Sequence, residues 1–259
     1  MIGFDFPIRP EWVHDCHQLC QPEMLVDDFV GQALQTTMRE LGGEKTRRNT
    51  LGNIIRYLIR TEGAPSSRSR KLAKVDALVA AAQQWPVTTI KPIYLARILL
   101  LNDVAYAAAR FVAQRYDVGD TLTRSDIRQH IISEFGERKV VLNAVSSFVR
   151  TLDYFGVFTA VEGQGVYQFN GSLRADTELF PLLVLAWLER YQTPQVDLET
   201  FRNHPAFHFL AADDFVEGWR RYNGRYWSLE SRLESERATL KYPVLAHFEE
   251  EIISRLRAA

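Results

Sequence analysis

Apolar residues recur at helical spacing over most of this chain. Pro10 can open a helix at Glu11, because proline is tolerated where the first amides lack partners anyway. Asp27-Asp28 suit the start of a second helix through Glu40, closed by Gly42-Gly43. A third, from about Lys45 to Arg60, offers Leu51, Ile54, Ile55, Leu58 and Ile59 for burial, while Arg48, Gly52, Arg56 and Arg60 recur at four-residue spacing on another face. Residues 62–71 carry Gly63, Pro65 and alternating Ser and Arg, which predicts an exposed loop ahead of a helix over Lys74 to Gln84, ended by Trp85-Pro86. Two apolar helices follow, Ile90 to Leu101 and Asp103 to Arg115, expected to pack on each other.

From Asp120 the order changes. A short extended Thr121-Leu122-Thr123 precedes a helix from Ser125 to about Phe135, a turn at Gly136-Glu137 and a helix from Arg138 to Phe155. Two β-prone runs, Val157 to Val161 and Val166 to Phe169, then flank Glu162-Gly163-Gln164-Gly165. Helix, turn, helix and hairpin in that order is the winged-helix plan. The last third predicts helices over Glu178 to Tyr191, Leu198 to Arg202 and Ala212 to Tyr222, a stop at Asn223-Gly224, a candidate strand from Arg225 to Leu229, and an amphipathic helix from Tyr242 to Arg257. No internal repeat stands out, although both later units are candidates for the winged-helix plan. The expected fold is mainly α and multi-helical, with a central winged-helix unit (helix-turn-helix plus β-hairpin) and a C-terminal helical unit. The expected divisions are an N-terminal helical region with a basic segment (1–89), a winged-helix-like domain (90–175) and a C-terminal helical domain (176–259).

Composition narrows the function. The 259 residues are 46% hydrophobic, ample for real cores. A formal charge of −1 argues against a generally cationic nucleic-acid coat, so any such site must be a local patch. The apolar runs Ile90 to Leu101 and Leu179 to Leu188 contain Lys91, Arg97 or Pro181 and fall short of the roughly 20 residues that span a bilayer. The first residues lack a basic region followed by an apolar one, so no secretory signal is expected. Cys16 and Cys20 alone make no disulfide framework, which fits a reducing cytoplasm.

Four segments carry candidate chemistry. The helix after Arg138 has Val141, Val145, Phe148 and Leu152 on one face and Lys139, Asn143, Ser146, Ser147 and Arg150 on the other. An anchored face opposite Arg, Lys and Asn is what reading a DNA groove requires, and the turn around Gln164 would bring backbone amides to a second phosphate. The same fold also serves as a protein-interaction scaffold, and Glu137 and Asp153 lie near these cations. Residues 45–74 hold Lys45, Arg47, Arg48, Arg56, Arg60, Arg68, Arg70, Lys71 and Lys74 against Glu62, whereas residues 1–44 hold eight acids against Arg9 and Arg39. The basic stretch either meets phosphate or is neutralised by the acidic one. In Trp219 to Trp227, aromatics alternate with arginines, an arrangement that stacks on bases or simply fills a core. His14, Cys16, His17 and Cys20 share one predicted helix, from which four side chains cannot enclose a tetrahedral ion. No phosphate-cradling Gly-rich loop, nucleophile elbow or paired-histidine zinc helix is present, and the chain is expected to be non-enzymatic, without cofactor or metal.

The arrangement resembles the BrxA family of BREX phage-defence systems. The likeness runs from about Leu34 to Tyr154: the basic stretch with Lys45, Arg47, Arg48 and Arg56, then Tyr94-Leu95-Ala96-Arg97, Phe111-Val112-Ala113-Gln114-Arg115-Tyr116, and the helix-turn-helix ending Leu152-Asp153-Tyr154-Phe155-Gly156. His204-Pro205-Ala206-Phe207 before Asp213-Asp214-Phe215 is similar to longer members. The resemblance implies a non-catalytic DNA-binding member of an antiviral complex that also contains a methyltransferase and an ATPase. The expected partner is therefore double-stranded DNA, without a membrane. The expected contacts are Lys45, Arg47, Arg48, Arg56, Arg68, Arg70, Lys71, Arg138, Lys139, Asn143, Ser147, Arg150 and Gln164. The rival expectation is a protein–protein adaptor built on a winged-helix scaffold.

Overall fold

The computed structural model describes residues 4–64, 67–161, 165–211, 213–232, 235–242 and 244–256. Helix α1 (Pro10–Leu19) starts on its proline as expected, and α2 (Val26–Thr36) follows. Helix α2 stops four residues earlier than expected. Thr37 returns both its amide and its hydroxyl to the Ala33 carbonyl, and Met38 then turns left-handed (φ 53°) to bury its side chain. After α3 (Glu44–Leu58), strands β1 (Thr61–Glu62) and β2 (Lys71–Leu72) pair antiparallel, so the expected loop is a short hairpin. Asp76 accepts from the amides of Leu78 and Val79 and so caps α4 (Ala77–Ala82), which begins three residues after Lys74.

Helix α5 (Val87–Leu101) is apolar on all sides and buried from Pro92 to Leu100. It packs against α1, α3, α6 (Asp103–Ala113) and α9 (Phe180–Tyr191). A helix without a polar face has to occupy the centre of a fold. Its Arg97 is also buried and meets Glu189 of α9 at 2.9 Å.

After α6 come β3 (Thr121–Thr123), α7 (Arg124–Phe135), α8 (Lys139–Tyr154), β4 (Phe158–Ala160) and β5 (Val166–Phe169). The strands form an antiparallel sheet in the order β3-β5-β4. After α9 the same succession returns: β6 (Gln195–Asp197), α10 (Leu198–Arg202), α11 (Asp213–Arg221), β7 (Trp227–Arg232) and β8 (Ser235–Leu240), in the order β6-β8-β7. Helix α12 (Leu245–Leu256) closes the chain. Equivalent residues do equivalent work. Leu122 and Val196 are the buried middle residues of β3 and β6, and Thr123 and Asp197 cap the helices that follow. Ile127 and Phe201, each five residues beyond the strand centre, are both buried. The C-terminal unit is thus not purely helical. The expected strand at Arg225 to Leu229 overlaps β7, whereas β8 is mostly polar and β6 only three residues long, so neither carries the alternation that marks a strand in sequence.

Buried apolar side chains from Phe4 to Ile253 form one continuous cluster. In the second unit Phe180 is the hub, with ring centroids 5.2 Å from Trp219, 5.9 Å from Phe215 and 6.0 Å from Phe201 and Trp227. Helix α11 can lie this close to Phe180 only because position 218 is glycine, since a β-carbon there would overlap the ring. No helix among the described residues is long and apolar enough to cross a membrane.

The core also holds neutral histidine. His17 is fully buried, its Nε2 3.0 Å from the Leu58 carbonyl and its Nδ1 3.1 Å from the Tyr94 hydroxyl. With Nε2 donating to the carbonyl, Nδ1 is left to accept from the tyrosine. Burial pushes the pKa of His17 from the ordinary 6.5 down to about 4, and burial lowers His204 to about 4 as well. Between those limits the unfolded chain binds more protons than the folded one, so stability must fall as pH drops from about 6.5 to about 4. Urea midpoints measured across that window should decline steadily and then level off. A midpoint that holds constant throughout would contradict the buried neutral state.

Candidate nucleic-acid interface

Helix α8 is held from behind by α6, α7 and β4, which bury Val141, Ala144, Val145, Phe148, Val149 and Leu152. Its outward side chains are Lys139, Asn143 and Arg150, all exposed, with Ser146 half-buried between them. Arg138, just before the helix, is exposed and donates to the Phe135 carbonyl at 2.9 Å, closing the end of α7. Glu137 is drawn toward Arg128 at 3.6 Å. Ser147 does not belong to this face. It is 3% exposed, because it stacks one turn from Ala144 and Thr151 on the inward side of the helix. Gln164 lies outside the described residues. The neighbouring Gly165 accepts the Arg124 amide at 2.8 Å, tying the turn before β5 to the start of α7.

Tertiary structure sorts the basic segment into two kinds of cation. Arg47 is half-buried and donates to the Leu34 carbonyl at 2.9 Å, which satisfies the end of α2. Arg60 pairs with the buried Glu249 of α12, and Arg70 donates twice to the Thr61 hydroxyl across the hairpin. These three work within the fold. Lys45, Arg48, Arg56, Arg68, Lys71 and Lys74 are exposed. Arg48 is paired with Glu44 at 2.7 Å, and Arg56 partly offsets the rise that burial gives the Asp5 carboxyl, so neutralisation by the acidic N-terminus is partial.

Two further candidates turn inward. Trp219, Tyr222, Tyr226 and Trp227 are buried, with the Trp227 indole donating to the Trp219 carbonyl at 2.8 Å, so these rings build a core instead of a stacking platform. Cys16, His17 and Cys20 are buried, and burial pushes the Cys16 thiol up to about 12. Among the described residues no three His, Cys, Asp or Glu side chains are grouped to hold a metal ion.

Sequence reasoning missed the N-terminal segment. The Ile8 amide donates to the Thr151 hydroxyl at 3.0 Å, and Asn53 donates to the Phe6 carbonyl at 3.2 Å, so residues 4–10 are fastened between α3 and α8. Arg9 consequently lies 4.3 Å from the ring centre of Tyr154 and 5.1 Å from that of Trp12. Arg150 is 5.9 Å from the same tyrosine ring. Tyr154 follows Arg150 by four residues, a spacing that sets two side chains on one side of a helix, whereas nothing in the local sequence announces Arg9.

Two crystal structures of SspB share this fold. One matches at 16% identity with a TM-score of 0.59, and the other, with bound magnesium ion, at 14% identity with a TM-score of 0.61. Each match covers 98% of this chain and 88% of the SspB chain. No protein-family model matches the chain, and no curated protein matches it in sequence. At this identity the likeness to SspB concerns the course of the backbone alone. The cations therefore have to be judged on their own surroundings.

That judgement is measurable in the protein without any ligand. Arg47→Ala, which strips the end of α2 of a hydrogen bond, should cost about 1 kcal/mol in urea unfolding. Arg68→Ala, on an exposed turn, should stay within about 0.5 kcal/mol. Equal effects would contradict the division into internal and outward cations.

Proposed function

We propose that this chain is a non-enzymatic DNA-binding accessory component of a BREX-like phage-defence complex in the cytoplasm, holding duplex DNA mainly through phosphate. In this reading α6 to α8 with β3, β4 and β5 are a winged-helix unit, α9 to α11 with β6, β7 and β8 are a second, and α8 is the groove-facing helix. The observation that carries the reading is the outward face of α8: Lys139, Asn143 and Arg150 project from a helix whose other side is clamped by three elements. A rigid mount with long polar side chains gives register on a duplex, with Lys and Arg on phosphate and Asn available for base edges. The exposed Arg68 and Lys71 of the β1–β2 hairpin add a second, adaptable phosphate contact. The defence setting, with a methyltransferase and an ATPase as fellow components, rests on the resemblance to BrxA.

The adaptor reading keeps support from the second unit. Residues 176–259 carry fourteen Asp and Glu against ten Lys and Arg, a balance that repels phosphate and suits contact with protein.

Fluorescence anisotropy with a labelled random duplex across a salt series tests the proposal. Binding should be micromolar or tighter at low salt and fall steeply as salt rises. Joint reversal of Arg68, Lys71 and Lys139 to Glu should weaken binding to all sequences alike, by more than about tenfold. Absence of binding at low salt would overturn the DNA reading and leave the adaptor.

A further inference from the structure

We infer that the N-terminal segment completes the DNA surface: Arg9 and Arg150, converging on the ring of Tyr154, hold one backbone phosphate at the C-terminal end of α8. The inference rests on the proposed DNA reading and deepens it by adding residues from outside the helix.

Lys139, Asn143, Ser146 and Arg150 follow one another at intervals of four, three and four, so they form a single line along α8. Tyr154, four residues further on, continues it. At about 1.5 Å per residue the line runs roughly 22 Å, enough to follow several phosphates of one strand. The helix ends there, and the next cation on the line comes from another element. Arg9 is set in place by the Ile8 to Thr151 hydrogen bond on one side and by the start of α1 at Pro10 on the other. Its side chain remains 39% exposed.

Bringing two guanidinium groups to one ring costs repulsion. The π-face of Tyr154 and the negative end of the α8 dipole offset part of it, and since that same dipole end disfavours an anion, both guanidinium charges are needed to hold a phosphate there. One acid competes for Arg9. Glu40 stands 3.9 Å from Arg9, and one of its oxygens already accepts the Trp12 indole N–H. Asp153 is half-buried, and no ion pair joins it to Arg150 among the described residues. Arg9 Nε is buried, so a phosphate would be met by the terminal guanidinium nitrogens of the partly exposed side chain. What the cluster lacks is an anion that can accept from two forked donors, and a phosphodiester does this better than any carboxylate present.

Salt dependence separates a shared phosphate from two separate ones. Arg9→Gln, Arg150→Gln and the double variant would be titrated with a labelled random duplex across a potassium chloride series. Each single change should weaken binding by about 3- to 10-fold and lower the slope of log K against log salt by less than one, because the remaining arginine still meets the phosphate. If the phosphate is shared, the double variant should lower the slope by about one; a drop of about two would overturn the sharing. Unchanged affinity and slope in Arg9→Gln would remove Arg9 from the surface while leaving the wider DNA reading intact. Failure of the unmodified protein to bind would instead sink that wider reading. Glu40→Gln provides an arm that does not depend on tolerating a lost arginine, since its amide oxygen can still accept the Trp12 indole. Removing the competing charge should tighten DNA binding about two- to fivefold, and unchanged or weaker binding would count against the clamp.

Discussion

Everything in this molecule is arranged around a helix that has no solvent face. Helix α5 is enclosed by α1, α3, α6 and α9, and it carries a buried arginine into that enclosure. An unpaired buried guanidinium is untenable, so the position of Glu189 on α9 is as much a condition of the fold as the apolar packing around it. Burial raises the pKa of Glu189, and Arg97 opposes the rise. Such a pair contributes little net stability; its effect is to fix which face of α9 meets α5. A second charged contact, from Arg60 to Glu249, joins the end of α3 to α12, and Glu249 also accepts the Ala77 amide at 2.9 Å. Glu249 thereby ties both the segment after α3 and the start of α4 to α12.

The two repeated units hang from this centre by their first helices, α6 and α9, both packed on α5. They have the same strand order and the same cap-after-strand device, yet their surfaces have diverged. In the first, a sixteen-residue α8 presents Lys139, Asn143 and Arg150. In the second, α11 has nine residues, sits against Phe180 through Gly218, and lies in an acidic stretch.

The sequence made the first unit almost completely legible. The change from 3.6-residue spacing to alternation after Phe155, and the glycines at 136 and 156 that adopt φ of 79° and 80°, mark its elements within a residue or two. The second unit was less legible because its strands are short or polar and acquire their identity only by pairing: β8 is a strand because β6 and β7 flank it. The site was half legible. Charge density is a local property, so the basic segment was visible, but whether an arginine is free to meet phosphate depends on what the fold places beside it. Arg47, Arg60 and Arg70 are occupied by a carbonyl, a carboxylate and a hydroxyl. Ser147 missed the outward face by one residue of helical phase. Arg9 joined that face from more than a hundred residues away.

Lysine acetylation, read by mass spectrometry with and without saturating duplex DNA, locates the surface that DNA covers. Lys45, Lys71, Lys74, Lys139 and Lys241 are all exposed, so each reports on its own neighbourhood, and Lys241 in the second unit is an internal control. DNA should protect Lys139 and Lys71 and leave Lys241 reactive. Full reactivity of Lys139 in the complex, or protection centred on Lys241, would contradict that placement.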